Sequence, residues 1–157
     1  MSIFGVGGPK LLSAVRGFLE SDDWKFSQIE GETALRFGFT GKNGSWSCFV
    51  KTYEDKEQFV FYSVLPNNVP ESKRPAVAEY LTRVNYRMVL GNFEMDFNDG
   101  QVLFKISVDV EGGSLAPTMI KNIIYTNVLM VDKYLPGLNK VMYGNATPAV
   151  AVQEIEK

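Results

Sequence analysis

The feature that most constrains the fold is a pair of alternating segments on either side of Asn98-Asp99-Gly100. Every second position in both segments is apolar: Phe93, Met95 and Phe97 before the turn, and Val102, Phe104, Ile106, Val108 and Val110 after it. Alternation around an Asp-Gly pair predicts a β-hairpin with Gly100 at positive φ. The helical segment before Gly91 carries a stripe that would cover one face of this hairpin, formed by Val77, Tyr80, Leu81, Val84 and Met88. The pattern therefore predicts helices packed on one face of an antiparallel sheet.

The rest of the chain supplies further strands and helices in a clear order. Three alternating segments, at residues 35–40, 46–51 and 59–65, follow a first helix at residues 11–19 and precede a proline-rich crossover. Residues 59–65 are apolar on both faces, which is typical of a central strand. A third helix is predicted from about residue 116 to about residue 134, where Pro136-Gly137 is expected to interrupt it. The prediction is an α+β fold with an antiparallel sheet of about five strands, in the order α-β-β-β-α-β-β-α, within one domain over residues 1–157.

The two ends of the chain carry weaker patterns. Residues 1–8 are interpreted as a leader and residues 145–157 as a tail, both of them mobile segments. For the tail there is an alternative, because Thr147 as an N-cap and Pro148 at the first helical position favour a short last helix.

Composition narrows the functional classes. The formal net charge is −2, and the 16 Lys and Arg residues are scattered, which argues against nucleic acid as a partner apart from a small basic patch at Arg83 and Arg87. The chain has no histidine and one cysteine, Cys48, so we expect neither a zinc site nor a disulfide. Residues 1–8 lack the features of a signal peptide and no apolar run is long enough to cross a bilayer, so we expect a cytoplasmic protein without a membrane span.

Three sequence features could carry chemistry, and each has a simpler structural interpretation. Gly5-Val6-Gly7-Gly8 could cradle a phosphate, but the strand that a dinucleotide site needs before it is missing. Glu94 and Asp96 would lie about 6.5–7 Å apart on one strand face, where Lys105 on the next strand favours a solvated, charge-balanced surface. Cys48 has no nearby cation to activate it. We therefore expect no catalytic residue, no cofactor and no metal site.

Two asparagines, one within an apolar arc and one at the edge of an apolar stripe, and a surplus of apolar surface remain to be explained. Asn127 lies within the apolar arc of the third helix, where it is expected to bond to a loop or to the sheet backbone, the alternative being a role in specifying the register of self-association. Asn85 has a similar position on the second helix. The apolar arc of the third helix is wider than a one-sided helix requires. The outer residues of the second and third helices therefore predict a surface for a partner or a second copy, formed by Tyr86, Met119, Leu129 and Met130.

Several segments together resemble the YbjN family of bacterial sensory-transduction regulators. The most specific is Gly91-Asn92-Phe93-Glu94-Met95-Asp96, and the others are residues 62–70, 80–86, 99–100, 124–127, 132–137 and 144–148. The resemblance implies a fold like that of type III secretion chaperones, in which a helix, three strands, a helix, two strands and a helix follow one another. Such chaperones are typically dimers that hold a partner polypeptide. The resemblance brings no catalytic residue and no cofactor.

These observations favour a non-enzymatic protein-binding or regulatory module, chaperone-like, that forms a homodimer and binds another polypeptide. The alternative is a small-molecule sensor or an enzyme that uses a pocket between the sheet and the helices. Nucleic-acid binding through Arg83 and Arg87 is a third hypothesis, and it predicts a steep dependence on salt.

Overall fold

The computed structural model describes residues 8–157, and its helices and strands follow the periodicity of the sequence. In chain order they are α1 (Lys10–Ser21), β1 (Ser27–Gln28), β2 (Ala34–Thr40), β3 (Ser45–Tyr53), β4 (Gln58–Val64), α2 (Arg74–Asn85), β5 (Asn92–Met95), β6 (Val102–Asp109), α3 (Pro117–Met142) and α4 (Pro148–Ile155). A single 3-10 turn at Glu71–Lys73 leads into α2. Residues 1–7, which include most of the glycine-rich segment and the predicted leader, lie outside the described residues.

The strands form one antiparallel sheet in the order β1-β2-β3-β4-β6-β5, which confirms the α+β class. Strand β4 lies at the centre, between β3 and β6, as its two apolar faces predict. The sheet has six strands instead of about five, because the short segment Ser27–Gln28 pairs with β2. Two residues are too few to produce an alternating pattern, so the sequence predicts only an extended lead-in there.

Helices cover one face of the sheet, and the apolar positions of the strands form the core beneath them. One continuous row of side chains crosses five strands in register: Phe37, Cys48, Ser63, Phe104 and Phe93. Helix α3 packs on the neighbouring strands β4 and β6, and α2 packs on the edge strand β5. Full burial of a large apolar side chain contributes roughly 1.5–3 kcal/mol, so this row and the helix residues above it supply much of the stability.

Helix α3 continues through Pro136-Gly137, so the expected interruption is wrong. A proline inside a helix lacks the N–H that would bond to the carbonyl four residues earlier, here that of Asp132. In this protein the Asn43 side chain donates to that carbonyl over 2.8 Å. The Asp132 carboxylate in turn accepts the backbone N–H groups of Lys42 and Asn43 at 3.0 and 2.8 Å. The turn between β2 and β3 therefore satisfies the group that Pro136 leaves unpaired.

The predicted hairpin forms, although its first strand is shorter than the alternation indicates. Gly100 adopts φ 81°, as predicted. Strand β5 ends at Met95, and Phe97 lies exposed in the turn instead of on the apolar face. The Val69 N–H donates to the Gly100 carbonyl over 2.8 Å, which joins the turn to the crossover before α2.

Residues 148–155 form a helix, which confirms the alternative given for the tail. The Thr147 hydroxyl accepts the N–H of Val150 over 3.3 Å, as an N-cap does. Ala151 and Val152 are buried, and α4 packs against α2 and α3. The mobile-tail interpretation is therefore wrong for this segment.

Candidate functional site

A groove of about 610 Å³ lies between α3 and the loop that follows α2. We call it the Tyr86 groove, and residues 86–91 the α2–β5 loop. The groove is lined by Arg83, Val84, Tyr86, Arg87, Met88, Val89, Leu90, Thr126, Met130, Lys133, Tyr134 and Glu156. A second depression of about 550 Å³, between α2 and α4, shares Arg83 and Tyr86 with it. Tyr86 thus stands between two concave surfaces.

Asn85, the last residue of α2, determines where the helix ends and the α2–β5 loop begins. The Asn85 side chain accepts the N–H of Phe93 at 2.8 Å and donates to the Phe93 carbonyl at 3.0 Å. These bonds hold the end of α2 against β5, which is the structural role expected of the half-buried Asn85. The chain must pass from Asn85 to Phe93 within eight residues, and Arg87 adopts φ 66° in doing so. Such a conformation is uncommon for a residue with a side chain.

Apolar side chains are unusually exposed around this groove. Val89 is 92% exposed, Tyr86 72%, Leu129 57% and Leu90 47%. Leu129 lies on α3 at positions i+3 and i−4 from Thr126 and Lys133, two of the lining residues, so it borders the groove on the same helix face. Contiguous exposed apolar surface on a folded protein marks a site of interaction.

The rim of the groove is cationic, although the whole chain is slightly acidic. Its lining includes Arg83, Arg87 and Lys133 but only one carboxylate, Glu156. Arg83 pairs with Glu79 over 2.8 Å. Within residues 8–157, Arg87 and Lys133 form no ion pair, and each lies instead 5.2 Å from the ring centre of an adjacent tyrosine.

The single carboxylate is already occupied by a hydrogen bond. Glu156 accepts the hydroxyl proton of Tyr134 over 2.7 Å. Burial, together with this hydrogen bond, raises the pKa of Tyr134 above its usual range. The tyrosine is therefore a neutral hydrogen-bond donor at physiological pH.

The structure brings together most of the residues predicted to form a partner surface. Tyr86 and Met130 line the groove, and Leu129 borders it. Met119 does not belong to this surface, because it is half-buried against the core and lies about 16 Å from Met130 along the helix axis. The most exposed member, Val89, was not predicted. Its signal in the sequence is the apolar pair just before Gly91, which the helical interpretation assigned to the end of α2.

The two carboxylates, Glu94 and Asp96, have separate partners in the structure. Glu94 forms a 2.8 Å ion pair with Lys105, and the hydrogen bond from this carboxylate raises the pKa of Lys105. Asp96 instead accepts the N–H of Asn98 in the turn, over 2.8 Å. The predicted charge-balanced outer face is confirmed.

Cys48 is a core residue, as predicted. It is fully buried, 3.8 Å from the Ser63 hydroxyl, and burial raises the pKa of its thiol to about 12. Among residues 8–157 no three His, Cys, Asp or Glu side chains come together in a way that would hold a metal ion. The same range contains no helix with the length and apolarity needed to cross a bilayer.

Asn127 bonds to the sheet, which confirms the first of its two interpretations. Its side chain is fully buried between α3 and the sheet. Its Nδ2 donates to the Phe61 and Phe104 carbonyls, each over 3.1 Å, and its Oδ1 accepts the Ser63 hydroxyl over 2.6 Å. Because all of these partners lie in β4 and β6 of the same chain, Asn127 has no free group with which to specify a register between copies.

Comparison with known proteins places the chain in a family. No curated protein sequence matches it at a significant level. Among solved structures, the "Crystal structure of YbjN, a putative transcription regulator from E. coli" matches with a TM-score of 0.58 and 14% sequence identity, over 77% of this chain and 85% of that one. This likeness shows the shared fold. Residues 12–140 match the family model of YbjN, described as "Putative bacterial sensory transduction regulator". Since the match covers most of the sequence, the chain belongs to the YbjN family.

Proposed function

We propose that this chain is a non-enzymatic regulatory protein that binds another polypeptide in the Tyr86 groove. The observation that carries the proposal is the cluster of four exposed apolar side chains, Tyr86, Val89, Leu90 and Leu129, around one concave surface. Leaving such side chains in water is unfavourable by about 25 cal/mol per Å² of apolar area, and a partner that covers them recovers this energy.

The chemistry of the groove supports binding over catalysis. The chain has no histidine to act as a general base near neutral pH. Among the residues that line the groove there is no cysteine, and the one carboxylate is engaged by Tyr134. The family description as a regulator agrees with a binding role.

Site-specific photo-crosslinking in bacterial cells tests the proposal. A benzophenone amino acid at Val89 would lie in the groove, and the same group at Phe97 provides the matched control, because Phe97 is an exposed apolar residue in the turn between β5 and β6. We expect an adduct of discrete mass from position 89 and none from position 97. The proposal is wrong if position 89 gives no adduct, or if both positions give the same one.

We further propose that the protein acts as a cytoplasmic homodimer. The chaperone-like fold implied by the family, together with the apolar surface on both sides of Tyr86, supports self-association. Size-exclusion chromatography with light scattering, across a hundredfold dilution, should give a constant dimeric mass. A monomeric mass would refute the dimer while leaving the groove proposal standing, and cell fractionation tests the location.

A small-molecule sensor is the second candidate, because the groove volume of about 610 Å³ falls within the roughly 300–1,000 Å³ typical of ligand sites. This site lies among helices and a loop, not between the sheet and the helices as the sequence suggested. A ligand at one hundred times its Kd would stabilise the native state by about 2.7 kcal/mol. A metabolite that raises the Tm of the native chain but not of Tyr86→Ala would favour the sensor; a flat thermal-shift screen would oppose it.

A further inference from the structure

We infer that the polypeptide bound in the Tyr86 groove is an acidic amphipathic helix. This inference rests on the proposed function and adds the chemistry and conformation of the partner. Three independent features of the groove support it: the charge of its rim, the blocked edge of the neighbouring strand, and the arrangement of its apolar residues.

The rim selects for carboxylates. Arg87 and Lys133 face the groove without an ion pair among the described residues, while the chain as a whole carries a formal net charge of −2. Both cations are exposed to water, so the absence of an ion pair costs them little free energy. Glu or Asp side chains on the partner would complete two ion pairs and would also steer its approach.

The neighbouring sheet edge is closed to a new strand. Strand β5 is an edge strand of only four residues. The Asn85 side chain occupies both the N–H and the carbonyl of Phe93, the polar groups through which an added strand would pair. Addition of an extended peptide at this edge would have to displace Asn85. A helix, whose backbone groups bond to one another, needs no free sheet edge.

The apolar residues suit one face of a helix. Val84, Met88 and Met130 lie in the groove, and the more exposed Val89 and Leu129 belong to its opposite sides, the loop and α3. A helix laid between the loop and α3 would bury side chains at i, i+3 or i+4, and i+7. The guanidinium of Arg87 lies 5.2 Å from the Tyr86 ring centre, so one of the two cations stands directly beside the exposed apolar surface.

Selection from a displayed peptide library tests the inference on the full-length protein. The library consists of 16-residue helical peptides with leucine at the i, i+4 and i+7 positions, and with Glu, Lys, Gln or Ala at random elsewhere. The baits are the native chain, the double variant Arg87→Glu/Lys133→Glu, and the matched control Lys121→Glu. Lys121 is an exposed cation on the same helix, about 18 Å from Lys133 along its axis.

We expect the native chain and Lys121→Glu to enrich Glu-rich peptides, and the double variant to enrich Lys-rich peptides instead. Two exposed ion pairs predict a preference of about fivefold for the Glu-rich over the matched Lys-rich peptide, and the preference should fall as salt is raised. Circular dichroism establishes that the double variant is folded. Selected peptides should also lose binding to Val89→Asp.

Three outcomes would overturn the inference. Groove-binding peptides without an acidic bias would refute the acidic partner, while crosslinks from position 89 would still support polypeptide binding. An acidic bias that persists with Arg87→Glu/Lys133→Glu would place the contact elsewhere. Failure to enrich any peptide would also refute the helix, and phosphatidylglycerol vesicles that then sediment the native chain but not the double variant would show that the cations serve an anionic lipid surface instead.

Discussion

Replacing Asn127 with alanine tests how the helical layer is fixed to the sheet. The Asn127 amide makes three hydrogen bonds, with Ser63 and with the carbonyls of Phe61 and Phe104. Two of these partners belong to β4 and one to β6, so a single side chain of α3 connects the helix to two neighbouring strands. Alanine removes all three bonds and leaves the Ser63 hydroxyl buried near only the Cys48 sulfur, at 3.8 Å.

The magnitude follows from the number of bonds. A buried hydrogen bond contributes about 0.5–1.5 kcal/mol net, so Asn127→Ala should lower the free energy of unfolding by about 3 kcal/mol. Domains of 150–250 residues lose roughly 2–4 °C of Tm for each kcal/mol, so the Tm should fall by roughly 10 °C. The protein should remain folded at 25 °C, because typical stabilities are about 5–15 kcal/mol.

Urea unfolding of a double-mutant cycle provides the assay. Ser63→Ala, Asn127→Ala and the double variant are compared, and since the two side chains bond directly, their coupling energy should be about 1 kcal/mol. Asn145→Ala is the matched control, an exposed asparagine in the loop before α4, and should change stability by no more than about 0.5 kcal/mol. A loss below about 1 kcal/mol for Asn127→Ala, or strictly additive effects in the cycle, would refute this reasoning.

Three further predictions concern other buried contacts. Gly100→Val should destabilise the fold by about 3 kcal/mol, because valine resists φ 81° and its Cβ would collide with the Val69 carbonyl; a urea midpoint that stays unchanged would contradict this packing. Gly137→Ala should cost about 2 kcal/mol, since its Cβ would meet the Tyr80 hydroxyl. Because Tyr80→Phe itself removes the hydrogen bond to the Tyr134 carbonyl, the comparison is a double-mutant cycle: Gly137→Ala should cost less in the Tyr80→Phe background, and an equal cost would show that the hydroxyl is not the obstacle. Burial raises the pKa of Cys48 from 9.0 to about 12, so the folded chain keeps a proton that the unfolded chain loses, and this contribution is complete below pH 9 and declines above it. Between about pH 9 and pH 10 the decline should be about 1 kcal/mol larger in the native chain than in Cys48→Ala; equal slopes would show that the thiol ionises alike in both states.

The fold could be predicted wherever its determinants are local in sequence. Alternation around Asp99-Gly100 specified the hairpin, and helical spacing located α1, α2 and α3. The interruption at Pro136 was predicted wrongly because the side chain that compensates for the proline is distant in the sequence. The Asn43 side chain that satisfies the Asp132 carbonyl comes from a turn 89 positions earlier in the chain. Propensity describes the penalty of a proline in a helix, but not the tertiary partner that offsets it.

The candidate site was predictable in part for the same reason. Tyr86, Leu129 and Met130 could be found from helical phase, because an apolar residue outside the buried stripe of a helix is exposed. Val89 could not, since its 92% exposure depends on α2 ending at Asn85. The end of α2 is fixed by hydrogen bonds between the Asn85 side chain and the Phe93 backbone, eight residues further on. The sequence gives no sign of these bonds, because its helical pattern continues up to Gly91.

The position of Asn85 also explains how substitutions in the proposed groove can be tolerated by the fold. Asn85 ties α2 to β5, and the loop between them contributes exposed side chains, Tyr86, Val89 and Leu90, to a groove whose opposite side is the outer face of α3. Substitutions on an exposed surface usually change stability by less than about 0.5 kcal/mol, whereas loss of the Asn85 bonds would release the end of α2 and the edge of the sheet together. Variants such as Val89→Asp therefore report on binding alone, and a change at Asn85 would alter binding and stability at once. The groove is separable from the core for this physical reason.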